Sequence, residues 1–320
     1  MAVRASGKPV VVPPSSTTPE VKREPVSEPG VLAKTLETLT QLVPVWRAAQ
    51  PVRTKPAVPG VASFTAAMAS DVSHDGWLLG AGGKLYPPQT FSADVPGLMP
   101  VDGRPIRERV MWVNGIMTPT PLHQQDMQAL ANTGREVVGV RNATRGMFRD
   151  LSQCILDKLD LGQNPAVDTT KRAILDAIKA NQPLHLIGHS QGALILSRAL
   201  FEVRNSLMLE GGMNAATAEA TLSNIKVTTL GGAAARWPDG PRYTHWVNAY
   251  DTVPVSSGVA APLSQPGKGA VIRQFKELNA PSHMPDTTDG LVNYLARFVD
   301  RTSHGPQDVY LKHLIADDRP

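Results

Sequence analysis

The sequence predicts an α/β protein built on a mostly parallel central sheet with helices on both faces. From about Val101 onward, short apolar runs alternate with helix-patterned segments, which is how a parallel sheet with crossover helices reads. One of those runs passes without interruption into a glycine-flanked turn and then a helix former. The third observation is size: 320 residues, 42% of them hydrophobic, allow one well-buried domain of roughly 250 residues with about 60 left over.

The leftover lies at the start. Ten of the 28 prolines fall within the first 60 residues, a density that removes backbone donors and favours extended chain over packed elements. Residues 1–60 therefore read as a disordered, proline-rich extension, and residues 61–320 as the α/β domain. Within the extension Leu32, Leu36, Leu39, Val43 and Trp46 recur every three or four residues and describe an apolar stripe on a helix over 31–50, with Pro44 to kink or end it. Such a stripe can pack on the protein's own body, bind a partner or lie on a membrane surface. The net charge of +4 also sits here, because residues 1–58 hold eight Lys/Arg against four Glu. The remainder is neutral, so no electrostatic funnel and no nucleic-acid partner is expected.

Six runs read as strands: Val110 to Val113, Val137 to Val140, Leu184 to Ile187, Ile225 to Leu230, His245 to Ala249 and Val271 to Leu278. Helices are expected over Leu122 to Ala131, Met147 to Leu159 and Thr169 to Ala180. Residues 61–100 supply an antiparallel edge or cover. Cys154, the only cysteine, stands among Leu151, Ile155 and Leu156 and reads as a buried inert thiol; it excludes an intrachain disulfide. No stretch reaches the roughly 20 apolar residues that span a bilayer, and Met1 to Val12 is too short and broken for a signal-peptide core. A leader without an acid before Glu20 fits an organellar transit peptide, a non-classically secreted effector or an inert tail on a cytoplasmic protein. The histidines are scattered, so neither a metal nor a cofactor is expected.

The run Leu184 to Ile187 leads directly into Gly188-His189-Ser190-Gln191-Gly192, and Ala193 to Phe201 continues as helix. In a strand, sharp turn, helix arrangement the central serine is forced into a strained conformation, and a β-carbon two places before or after it would collide with its neighbours. The hydroxyl is held above the sheet, where the free amides of the helix N-terminus favour developing negative charge. A serine that merely caps the helix is the plainer reading.

These residues resemble the nucleophile elbow of the lipase and esterase branch of the α/β-hydrolases. The resemblance covers about residues 105–320, strongly only around Ser190, and implies the α/β-hydrolase fold with Ser190 as nucleophile. His189 then belongs to the elbow and points away from the serine oxygen. A serine needs a histidine base and a carboxylate to orient it, supplied in this fold in the order Ser, Asp or Glu, His. His245 to Ala249 is a strand followed closely by Asp251, which places that carboxylate at the ligand-binding end of the sheet; the following Val253-Pro254 is similar to the Asp-x-Val-Pro of lipases. The alternative is an aspartate capping a turn. Of the histidines that follow, His304, in His304-Gly305-Pro306, is similar to the family's closing histidine before a helix bearing an aromatic residue; His283 is the alternative base, and His313 reads as a packing histidine.

The second oxyanion donor comes from the loop after the strand containing Trp112, which reads Val113-Asn114-Gly115-Ile116-Met117 where many lipases have His-Gly. The amides of Ile116 and Gln191 are the expected pair, with Met117 as the neighbouring candidate, and Asn114 either holds this loop or makes a plain Asn-Gly turn. Asn205 to Asn224 and Ser256 to Lys268 are either lids or ordinary connections. The expected chemistry is cleavage of a carboxylic ester, of a lipid or another small acyl compound, through an acyl-enzyme. A thioesterase or acyltransferase with the same triad, and a non-catalytic binding protein on the same fold, are the rivals.

Overall fold

A computed structural model describes residues 74–116, 118–143, 164–278 and 303–317. The chain divides into Met1–Ala57 and Val58–Pro320, and everything described belongs to the second. The N-terminal stripe over 31–50, the helix Met147 to Leu159, Cys154, Met117 and His283 lie outside the described residues.

Eight strands form one sheet in the order β2-β1-β4-β3-β5-β6-β7-β8. They are β1 (Leu78–Leu79), β2 (Leu85–Tyr86), β3 (Glu108–Val113), β4 (Arg135–Val140), β5 (Leu184–His189), β6 (Ile225–Leu230), β7 (Arg242–Asn248) and β8 (Val271–Phe275). The two short strands from the region read as an edge pair antiparallel, to each other and to β4. The six longer ones are parallel throughout. In this mostly parallel sheet β5 ends in a tight bend, and helices cover both faces. This is the α/β-hydrolase fold.

Alternation along the strands divides the core. Met111 and Val113 of β3 face helices α2 (Pro165–Lys179) and α3 (Gln191–Leu209), packing with Leu186, Val227, Ile174, Ile195, Leu196 and Leu200. Val110 and Trp112 face the other way, towards Met127 and Leu130 of α1 (Thr120–Ala131) and Tyr310 and Leu311 near the C-terminus. Because both faces are covered, the central strands read as apolar runs instead of alternating ones.

Most boundaries fall within a few residues of the sequence reading, and the departures have local causes. Helix α2 starts at Pro165 rather than Thr169, because the Asn164 carboxamide oxygen accepts from the amides of Ala166 and Val167 at 2.9 and 3.3 Å, and proline suits the first helical position. Strand β8 stops at Phe275, short of Leu278. The stretch after α3 contains α4 (Ala215–Leu222), and Met208 near the end of α3 and Met213 pack against the core. A short α5 (Thr252–Ser257) follows Asp251, and the chain closes with a π-helical stretch Pro306–Leu311 running into α6 (Lys312–Asp317). No helix among the described residues is long and apolar enough to cross a membrane.

Candidate active site

The bend after β5 is strained as its glycine spacing predicts. Ser190 has φ 54° and ψ −121°, a conformation that costs a non-glycine residue on the order of 1–3 kcal/mol. Backbone bonds hold it there: the Ser190 amide donates to Leu230 O at 3.1 Å, and Ser190 O accepts from Ala193 N at 3.1 Å and Ala233 N at 3.0 Å. A β-carbon on Gly192 would stand 2.1 Å from Val113 O, and one on Gly188 would meet Ala193 N at 2.9 Å. Helix α3 can therefore start directly against β3 and β5 only with glycine at both places.

Asp251, Tyr310 and His304 meet just beyond the ends of β5, β6 and β7. The Asp251 carboxylate is fully buried and divides its two oxygens between two tasks. Oδ1 accepts from Val253 N at 2.9 Å and so caps α5; Oδ2 accepts from His304 Nδ1 at 2.6 Å and from the Tyr310 hydroxyl at 2.6 Å. The two readings of Asp251, cap and partner of a histidine, are both true of it. Because Nδ1 donates to a carboxylate, the neutral His304 ring keeps the lone pair on Nε2, the tautomer a general base needs.

His304 is secured through its backbone as well. His189 Nε2 donates to His304 O at 2.7 Å, and the two rings lie 4.6 Å apart. The elbow residue next to Ser190 thus holds the main chain of His304, a contact the sequence reading did not foresee. Burial, and then the charge of a protonated His304, push the His189 imidazole well below its ordinary range, so it stays neutral and serves as a fixed donor. On the other side of His304, Asn248 Nδ2 donates to Ser303 O at 3.0 Å and to Glu277 O at 2.7 Å. One turn on, Gln307 Nε2 reaches Asp126 Oδ1 of α1 at 2.6 Å. His313 packs on Phe275 with ring centroids 3.8 Å apart and bonds Glu277 at 2.8 Å, in line with its reading as a packing residue.

The loop after β3 runs against the bend. A β-carbon on Gly115 would lie 2.9 Å from Ser190 Cβ and 3.1 Å from His189 Nδ1, which brings Gly115 alongside the serine. Asn114 holds this loop: its Nδ2 donates to Gly115 O and Asn142 O, both at 2.9 Å, and its Oδ1 accepts from Asn142 N at 2.9 Å. Asn142 Nδ2 then donates to Gln191 Oε1 at 2.7 Å, tying the loop after β4 to the first residue of α3. The sequence carried no signal for Asn142, whose partners are 28 and 49 residues away.

Ser190 is enclosed, at 7% exposure, instead of standing open on the rim. Among the described residues neither its Oγ nor His304 Nε2 has a hydrogen-bond partner. Among the described residues no group of three or more His, Cys, Asp or Glu could hold a metal ion.

No protein-family model matches the sequence, and no curated protein matches it. Solved structures that resemble it include a dienelactone hydrolase-like promiscuous phosphotriesterase from metagenomic libraries, 11% identical over 63% of this chain and 90% of that one, with a TM-score of 0.34. A dienelactone hydrolase from Anabaena variabilis is 9% identical over 62% and 89%, TM-score 0.34. A structure from the metagenome-derived lipolytic enzymes LipS and LipT is 12% identical over 61% and 94%, TM-score 0.27. Likeness this distant adds nothing to the strand order described above.

Proposed function

We propose that this protein is a serine hydrolase that cleaves a carboxylic ester, of a lipid or another acyl compound, through an acyl-enzyme on Ser190. The observation that carries the proposal is the 2.6 Å bond from His304 Nδ1 to the fully buried Asp251, taken together with a serine held at φ 54° on a bend between strand and helix. In this reading Ser190 Oγ attacks the ester carbonyl as its proton passes to His304 Nε2, and Asp251 balances the imidazolium charge. The amides of Ile116 and Gln191 receive the oxyanion, with Met117 as the neighbouring donor. The intermediate collapses, the alkoxide leaves with the proton from His304, and water attacks the acyl-enzyme by the same route in reverse.

One observation favours a rival, a binding protein on a hydrolase fold: Ser190 is nearly enclosed and unbonded to His304 among the described residues. Hydrogen bonds of a resting site often close only when substrate is bound, so the two readings part on reactivity. A fluorophosphonate probe should label the wild-type protein and neither Ser190→Ala nor His304→Ala. Absence of label on the wild type makes it a binding protein, and retained turnover in His304→Ala transfers the base role to His283. A panel of oxygen esters, thioesters and acyl acceptors then separates hydrolase, thioesterase and acyltransferase.

A further inference from the structure

The buried Asp251 carboxylate accepts its two shortest bonds on one oxygen. His304 Nδ1 and the Tyr310 hydroxyl each approach Oδ2 at 2.6 Å, while Oδ1 is left to Val253 N. Two donors on one oxygen compete for the same electron density. We infer that the Tyr310 hydroxyl is a positioning residue that sets the basicity of His304, by drawing part of the Asp251 charge away from the imidazole. The inference rests on the reading of Asp251 and His304 as orienter and base.

The phenol is built to stay in place and to keep its proton. Its oxygen accepts from Asn248 N at 3.2 Å, at the end of β7, so its remaining hydrogen points at the carboxylate. The ring is fully buried, packed edge-on against Phe275 at 5.3 Å and His189 at 6.4 Å. A β-carbon at Gly231 would stand 2.8 Å from Asp251 Oδ2 and 2.9 Å from Tyr310 Cε2, so the absence of a side chain there lets the pair meet. Burial, and then the negative charge of Asp251, hold the hydroxyl far above the ordinary phenol range, and it acts as a donor at every working pH.

The direction follows from the charges. Among the described residues, the titratable groups facing the His304 ring are Asp251 at the start of α5 and His189 on β5; Tyr310 reaches it through Asp251. With His189 neutral, Asp251 is the charged group bonded to the imidazole among the described residues. Removing the phenol oxygen leaves Oδ2 to His304, strengthens that bond and makes the imidazole more basic.

The test is a titration of the full chain carrying ¹³Cε1-labelled histidine, with His304→Gln to assign the resonance, alongside the pH dependence of fluorophosphonate labelling. In Tyr310→Phe the His304 titration should move up by about half to one pH unit, and the acid limb of labelling should move with it, making labelling about three- to tenfold slower below that limb. Site-specific difluorotyrosine at position 310, a stronger donor of nearly the same shape, should move both downward, and it decides the matter if the phenylalanine variant does not fold. A His304 titration within about 0.2 unit of wild type in the folded phenylalanine variant, or displaced the opposite way in either variant, overturns the inference. A shifted titration in a protein that never takes the label would sink the hydrolase reading and leave the tuning standing; normal labelling with an unmoved titration does the reverse.

Discussion

Each end of the sheet carries a carboxylate bonded to an imidazole. At the amino ends of the strands Glu108 Oε2 accepts from His185 Nδ1 at 2.8 Å, and His185 Nε2 accepts from the Thr228 hydroxyl at 2.9 Å; at the carboxyl ends Asp251 bonds His304, whose main chain His189 holds, and Ser190 follows His189 on the bend. What differs is the surroundings. Arg135, 2% exposed, bonds Glu108 Oε1 at 2.8 Å and Lys226 stands 3.7 Å from Oε2. Burial acts to raise the Glu108 carboxyl, but the His185 bond and these charges outweigh it and hold the group at about 2. His185 is pushed down by burial and has both nitrogens occupied, and Thr228 lies inside β6 at 2% exposure. At the other end the carboxylate has no Arg or Lys partner among the described residues, the imidazole keeps one nitrogen without a partner among them, and the hydroxyl sits on a strained bend at a helix N-terminus. A carboxylate bonded to an imidazole does not by itself make a reactive site; in the proposed reading the bend and the unused lone pair do.

Substitutions at matching places sharpen the contrast. Ser190→Ala should lower ester turnover by roughly 10⁴- to 10⁶-fold, whereas Thr228→Val should leave it within about twofold and cost about 1 kcal/mol in denaturant unfolding. Asp251→Asn should reduce turnover by roughly 10⁴-fold through loss of tautomer and charge; comparable turnover after Glu108→Gln and Asp251→Asn would erase the distinction between the two ends. His189→Leu removes the donor to the His304 main chain and should slow fluorophosphonate labelling by roughly 10- to 100-fold, with partial recovery in His189→Gln.

Glu108→Gln is the smallest in rate, within about twofold of wild type, and is read in stability. It leaves Arg135 buried without its carboxylate, at a cost of about 2–3 kcal/mol at neutral pH. The folded carboxyl lies at about 2 and its unperturbed value at 4.5. Its contribution is therefore present above 4.5 and lost as pH falls from there towards 2. Denaturant melts over that window should be flatter in Glu108→Gln than in wild type.

Much of the carboxyl end was legible because its chemistry is tied to local pattern. The elbow is five consecutive residues, and Asp251 follows directly from the apolar strand His245 to Ala249. His304 emerged from the resemblance alone, with His283 as its competitor. The groups that hold these residues were not legible. Tyr310 was visible as an aromatic after the histidine, but only the π-helical turn aims its hydroxyl at Asp251. His189 was read as turned away, since the bend of a single chain says nothing of what a segment 115 residues later lays against it. The amino-end network escaped for another reason. With both faces of a parallel sheet covered, a histidine such as His185 among leucines gives no sign whether it points to water or to a half-buried glutamate.

The serine and its partners come from different parts of the chain. The bend is stitched by main-chain bonds to β6 and to the turn after it, a framework of neighbouring parallel strands. The imidazole arrives on a segment near the C-terminus held by side-chain contacts from His189, Asn248 and Asp126 and by Val309, Tyr310 and Leu311 in the core. In the proposed reading, competence depends on that segment staying docked: mild heat or dilute denaturant that releases it should abolish fluorophosphonate labelling before the sheet unfolds, and return to native conditions should restore it.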